Sequence, residues 1–437
     1  MGLPRNIGRI RSASTTPYGT YEAVVVGAGP AGITCVGNLL ERKVAPILWV
    51  DDAFNGGRIN RAYREVPSNT KVGLFIDYAQ AVAPFRKIVS STPSRSRWEE
   101  PSESDGVSVG SAEKPDKLQA LRELDPTKGC TLSYGGDMLA MLTDGLKRTP
   151  GVITQRGKVA EAVLNEDSKM WNVRLDNPNQ SETDISSVEA KRLILCTGSS
   201  PTDTPLPGNM ASLPHLGLDD ALSPTLLREK LLPRGPTTVS VIGASHSAIL
   251  VLRNLYELAS TSKPDLKIRW LTRHALRYAE FMTGWVLRDN TGLKGEAAVW
   301  AKENLEPEAF NFSPVSKYID AISYAKGEEQ AMFEQHLPGT DLVIQAIGYS
   351  RDSVPTLKTS MGKEITPHYD HEKGSFSYVE ESECGSIGDL AKLPGVYGAG
   401  IAFPERVTDP HGNVEYAVGF MKFMKYIKKV SPEWTAA

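Results

Sequence analysis

The residues in this sequence best placed to do chemistry are glycines. A short apolar run, Ala23 to Val26, has the character of a buried parallel strand, and Ile33 to Glu41 carries helical spacing. Between them stands Gly27-Ala28-Gly29-Pro30-Ala31-Gly32. That spacing suits a pyrophosphate cradle. Gly27 lets the chain reverse, Gly29 lets backbone N–H groups approach the phosphates, and Gly32 lets the helix close on the strand. The helix start adds unpaired donors and partial positive charge. A second strand, Pro46 to Val50, runs into Asp51, nineteen residues beyond Gly32, near the spacing of a carboxylate that takes a ribose 2′-hydroxyl. Gly56 and Gly57, followed by Arg58, would give the backbone a second approach to the same flat ligand.

The pattern returns downstream. Strand Thr237 to Ile242 leads into Gly243-Ala244-Ser245-His246-Ser247-Ala248, where Ser245 stands at the middle glycine and Ala248 at the third. Serine there would crowd a phosphate slightly, whereas alanine is tolerated. Strand Lys267 to Leu271 then ends in Thr272-Arg273, with Arg277 nearby and no acid. Arg273 reads as a receptor for a 2′-phosphate, favouring NADPH over NADH, or as a solvated loop cation. Three further turns suit a nucleotide protein: Cys196-Thr197-Gly198 after the strand Arg192–Leu195, Gly348-Tyr349 after Asp341–Ile347, and Gly395 to Gly400.

Chain order arranges these units. A nucleotide unit interrupts another whose last strand and helix come at the C-terminus. The expected architecture is α/β, with two Rossmann-like dinucleotide-binding domains, the second inserted in a split first. The expected bounds are a flexible tail 1–20, a first domain 21–205 plus 340–437, and an inserted domain 235–339. A polar insertion is expected over 90–117, a hairpin over Lys158–Leu175, a helix over Tyr134–Lys147 and a last helix over about Val414–Lys429. The Pro67-Ser68-Asn69 stretch is read as a turn in which Asn69 could act as a cap.

The composition removes several classes. A net charge of −3 offers no general attraction to nucleic acid or anionic membrane, and no apolar run reaches the roughly 20 residues of a membrane span. Four cysteines (Cys35, Cys130, Cys196, Cys384) never form C-x-x-C, so a disulfide framework is not expected and a cytoplasmic setting is. Arg5, Arg9 and Arg11 in an acid-free start are weakly transit-like, but a mobile tail is the preferred reading. The histidines, including His368, His371 and His411, show no metal-ligand spacing, so no metal is expected.

Taken together, these motifs resemble the two-dinucleotide-domain flavoproteins, and among them the class B flavin monooxygenases, which include flavin-containing monooxygenases and side-chain N-hydroxylases. The resemblance runs from Tyr21 to about Lys429, apart from the polar insertion. It rests on Gly27–Gly32 with Asp51, on Gly56-Gly57, on Asn69-Thr70-Lys71, on Gly243 with Ser247-Ala248, and on Asp341 followed by Gln345-Ala346-Ile347-Gly348-Tyr349. The departures are Ser245, Ile347 where the family has threonine, and a F-x-G-x-x-x-H stretch reduced to Leu206-Pro207-Gly208 with a distant His215. The resemblance implies FAD on the first cradle and NADPH on the second. It implies hydride transfer between them, reaction of reduced flavin with O2 to a C4a-hydroperoxide, and oxygen insertion into a small organic molecule. Asn69 would hydrogen-bond the distal oxygen, and a helix after Gly400 would face the flavin. A homo-oligomer is left open. The competing readings are a flavin reductase or oxidase without oxygen insertion, and a non-catalytic flavoprotein whose NADPH site has decayed at Ser245.

Overall fold

The computed structural model describes residues 19–91, 117–176, 186–379 and 390–436. The expected tail 1–20 and polar insertion 90–117 therefore lie almost wholly outside the described residues, as does Cys384.

Two sheets carry the architecture, the first largely parallel with an antiparallel edge and the second wholly parallel. In the first, seven strands run in the order His368–Asp370, Ser375–Val379, Leu390–Gly398, Leu193–Leu195, Ala23–Val26, Ile47–Asp51 and Val152–Arg156. The last five are mutually parallel. Ala23-Val24-Val25 and Ile47-Leu48-Trp49-Val50 are buried throughout, as continuous apolar runs must be when helices cover both faces. Helix Pro30–Glu41 lies against the C-terminal helix Phe420–Thr435. The latter buries Phe420, Phe423, Met424, Ile427, Val430 and Trp434, a three-and-four spacing that places one face inward.

The second sheet has four parallel strands, Ile319–Ser323, Leu266–Thr272, Thr237–Ile242 and Leu342–Gln345. One boundary must be corrected here. Leu342–Gln345 pairs with Thr237–Ile242, so the chain is still in the second unit at residue 345 rather than back in the first from 340. Apolar strands carry no label for their sheet, and this one completes the edge that Val239 and Val241 leave open. The segment before it also joins the second unit: Leu218, Leu227 and Leu231 share a core with Val239, Ile249 and Ile268.

Two strands make the crossing. Outgoing Ser199–Pro201 pairs antiparallel with returning Tyr349–Arg351, so a two-stranded ribbon joins the domains. A third sheet contains the predicted hairpin, Lys158–Asn165 with Met170–Asp176. The C-terminal helix begins later than expected. Val414–Ala417 is a strand paired with Glu405–Thr408, since Val414 and Tyr416 are exposed while Glu415 and Ala417 are buried. That alternation has a period of two, and Gly419 at φ +145° then turns the chain into the helix.

Candidate functional site

The first cradle is held open by clashes that only glycine avoids. A Cβ on Gly27, whose φ is +103°, would strike the Cys196 carbonyl, and one on Gly32 would strike the Gly27 carbonyl. Gly29 differs: the nearest atom to a Cβ there is the Gly57 Cα at 4.0 Å. Gly57 itself, at φ +75°, would bring a Cβ within 2.8 Å of the Gly29 Cα. The two glycines thus line one gap, and Gly400 closes on it from the C-terminal unit, its would-be Cβ 2.5 Å from Ala31 Cβ. Helix Pro30–Glu41 has no side-chain cap at Gly29, which leaves first-turn donors for an anion.

Several predicted residues brace this cradle. Asp51 accepts hydrogen bonds from the amides of Ala28 (2.7 Å), Ala53 (2.8 Å) and Phe54 (2.7 Å). A ribose hydroxyl would share that carboxylate, which has about four lone-pair sites. Arg58 is committed to protein atoms: it pairs with Asp219 and donates to Ser199 O (3.1 Å) and Ser200 Oγ (2.7 Å). Tyr349 meets the Tyr63 hydroxyl at 3.0 Å, and Tyr63 donates to Asp219 at 2.9 Å. Burial, then the neighbouring Tyr349, pushes the Tyr63 phenol far above its usual range. Arg58 and Tyr349 therefore fasten the seam between the domains. Thr197, at the crossing, has a buried hydroxyl without a hydrogen-bond partner among the described residues, and Gly198 beside it has φ +84°. An unpaired buried hydroxyl is costly, which fits a group that is completed on ligand binding.

The second cradle opens on a cavity of 540 Å³ lined by Gly243, Ser245, Arg273, Arg277, Glu329 and Gln345, among others. Gly243, at φ +131°, again tolerates no Cβ, here because of the Ala346 carbonyl. Ser245 caps helix His246–Thr261, accepting from the Ala248 amide at 3.3 Å and donating to Ala346 O at 2.9 Å. Its hydroxyl is turned into the helix cap, so the substitution that suggested a decayed site has a structural role. Ser247 stands in the first turn of the same helix.

Asn69 lies where the two units meet. Ser68, not Asn69, closes the turn, its Oγ accepting the Thr70 N–H at 2.9 Å. The exposed Asn69 carboxamide instead faces His246, with Nδ2 3.3 Å from Nε2. A Cβ on Gly295 would sit 3.1 Å from Asn69 Oδ1. Burial, then the charge of Lys294, lowers the His246 pKa to about 4, so the ring is neutral at physiological pH. The unfolded chain would protonate this ring near pH 6.5. The stability of the neutral form is thus complete above about pH 6.5 and lost as pH falls toward 4. Thermal unfolding of wild type and His246→Gln across that window should show the acid-side loss shrinking in the variant; parallel curves would refute the assignment.

Sequence reasoning missed a clasp beside Asn69. Buried Glu415 accepts from the Asn290 amide (3.0 Å), Asn290 Nδ2 (3.2 Å) and Thr291 Oγ1 (2.5 Å). Lys294 and Lys422 both pair with Asp289. The loop 289–294 of the second unit thereby holds the C-terminal hairpin and helix of the first. Only the turn-forming Asp289-Asn290-Thr291-Gly292 hinted at it. His411 lies on that hairpin, its ring 4.9 Å from Trp285. Cys35 and Cys196, remote in sequence, bring their sulfurs to 3.7 Å. Among the described residues no group of three or more His, Cys, Asp or Glu side chains gathers as a metal site, and no helix is long and apolar enough to cross a membrane.

A profile of the pyridine nucleotide-disulphide oxidoreductases matches residues 21–260, which span the first cradle and the second. The chain belongs to that family. It is an oxidoreductase built on two dinucleotide-binding folds. A relative named Monooxygenase AgnR1, from Paecilomyces divaricatus, is 47% identical over 416 residues, covering 95% of this chain and 98% of the relative. Among solved structures, cyclohexanone monooxygenase from Rhodococcus sp. Phi1 bound to NADP+ is similar at a TM-score of 0.51 and 14% identity. That match covers 95% of this chain and 84% of the other. An open form of cyclohexanone monooxygenase matches with the same score, over 87% of its chain. At such low identity these likenesses speak to the fold: the split first domain with an inserted second is the arrangement of class B flavin monooxygenases.

Proposed function

We propose that this oxidoreductase is an FAD-dependent, NADPH-using monooxygenase that transfers one oxygen atom from O2 to a small organic molecule. The observation that carries the reading is the meeting of the two nucleotide units at one point, where Asn69 of the first touches His246 at the helix start of the second. The Gly29–Gly57 gap and the unpaired Thr197 hydroxyl suit a dinucleotide on the first cradle. The Arg273 cavity suits NADPH on the second, and the relative named a monooxygenase supports oxygen chemistry.

FAD bound on the first cradle would supply the redox chemistry between NADPH and O2. The chain supplies position and environment. The amides of the first cradle and the start of helix Pro30–Glu41 would hold the pyrophosphate. Arg58, Asp219, Tyr63 and Tyr349 keep the domains in register, and the Glu415 and Asp289 clasp ties the loop 289–294 to the C-terminal hairpin and helix. Asn69 offers an N–H donor without an acidic proton, so it can hold an oxygen atom in place without promoting loss of peroxide. Neutral His246 beside it brings no acidic proton either. The buried thiols Cys35 and Cys196 suit a reducing, cytoplasmic setting.

The test is a two-step mixing experiment. Purified protein should release FAD on denaturation and bleach with NADPH under nitrogen. On aeration it should show a transient absorbance distinct from oxidised and reduced flavin. Prompt return of oxidised flavin with stoichiometric hydrogen peroxide, in the presence of candidate substrates, would make it an oxidase instead. No bleaching by NADPH or NADH would remove both.

A further inference from the structure

The second cavity holds an anion where a phosphate would be expected. Arg273 leaves the end of strand Leu266–Thr272, the position from which a 2′-phosphate is usually met. Its Nη1 is already engaged, 3.0 Å from Glu329 Oε1. Glu329 comes from the start of helix Glu329–His336, after the neighbouring strand Ile319–Ser323 of the same sheet, and lines the same cavity. Its other oxygen accepts the Gly327 amide at 2.7 Å, which fixes the carboxylate in front of Arg273. Its own backbone amide first, and then Arg273, hold the carboxyl below the usual range, so it is ionised at neutral pH. Arg277 also lines the cavity and has no ion pair among the described residues.

We propose that Glu329 is a coenzyme-specificity residue that occupies the 2′-phosphate receptor of Arg273, so that NADPH must displace a carboxylate which NADH can leave in place. This rests on the reading of the cavity as the NADPH site. The Arg273 and Glu329 side chains are 42% and 31% exposed. An ion pair that open is weak, and a dianionic phosphate with Arg277 beside it can replace it. The carboxylate therefore lowers the preference for the phosphorylated coenzyme without abolishing binding. A ribose 2′-hydroxyl, by contrast, can donate to Glu329 while the ion pair persists.

Calorimetric titration of the flavin-loaded protein with 2′,5′-ADP and with 5′-ADP tests this on wild type, Glu329→Gln and Arg273→Gln. Glu329→Gln should bind 2′,5′-ADP about fivefold more tightly than wild type, the limit set by one exposed ion pair, with 5′-ADP changed by less than about twofold. Arg273→Gln should lose the preference for 2′,5′-ADP. If Glu329→Gln leaves the 2′,5′-ADP affinity unchanged or weakens it while Arg273→Gln still loses it, the role of Glu329 is refuted and the NADPH site stands. If wild type does not distinguish the two ligands and Arg273→Gln changes neither, the assignment of the phosphate site fails along with the proposal.

Discussion

Gly29→Val should yield a folded but colourless protein, whereas Gly32→Ala should not accumulate as folded protein at all. The two glycines lie three residues apart in one loop, yet their constraints differ in kind. At Gly32 a Cβ collides with the Gly27 carbonyl, backbone against backbone, so neither side can yield without parting helix from strand. Overpacking of ordinary side chains already costs about 1–3 kcal/mol, and a backbone collision exceeds that against a total stability of about 5–15 kcal/mol. Gly29, with φ −78° and ψ −175°, has extended backbone that any residue adopts. Its Cβ direction is empty to 4.0 Å. Valine there would fill the space intended for a pyrophosphate and leave the fold intact. Flavin content, read as visible absorbance per protein, should fall at least about tenfold, with thermal unfolding close to that of the apo wild type. A yellow Gly29→Val protein would show that the dinucleotide binds elsewhere.

Asn69→Ala should separate coenzyme consumption from product formation. With its carboxamide donor gone, oxygen should leave as hydrogen peroxide. Product per NADPH should fall by about 10²-fold, the scale of losing one preorganised donor, while NADPH oxidation and flavin content stay near wild type. Asn69→Asp should fare no better, because it replaces a donor with a negative charge. Unchanged coupling in Asn69→Ala would dismiss the residue from the chemistry. Equal losses of coupling and flavin would assign it to cofactor binding instead.

Much of the architecture was legible because glycine loops and apolar runs are local signals. Gly32 is required by a contact inside its own turn, and Gly27 and Gly243 by contacts with the chain at the ends of adjacent strands; the strand-to-helix order around them implied parallel sheets and a split domain. Local signals failed where two structures share one pattern. Val414 to Ala417 reads as helix until the exposure of alternate residues is known, and the apolar Leu342–Gln345 does not say which sheet it joins. Arg58 and Tyr349 are visible in their glycine motifs, whereas their partners, Asp219 and Tyr63, are supplied by packing across the seam.

The sequence by itself determined that two nucleotide cradles exist, in which order, and that the second interrupts the first, because spacing along the chain dictates backbone geometry over a few residues. Only the tertiary structure decided which distant side chains meet. Asn69 faces His246 across 177 positions, Glu415 clasps Asn290, Cys35 meets Cys196, and Glu329 holds Arg273. Each pairing is set by how whole sheets and helices pack against one another, at distances along the chain over which no spacing rule operates.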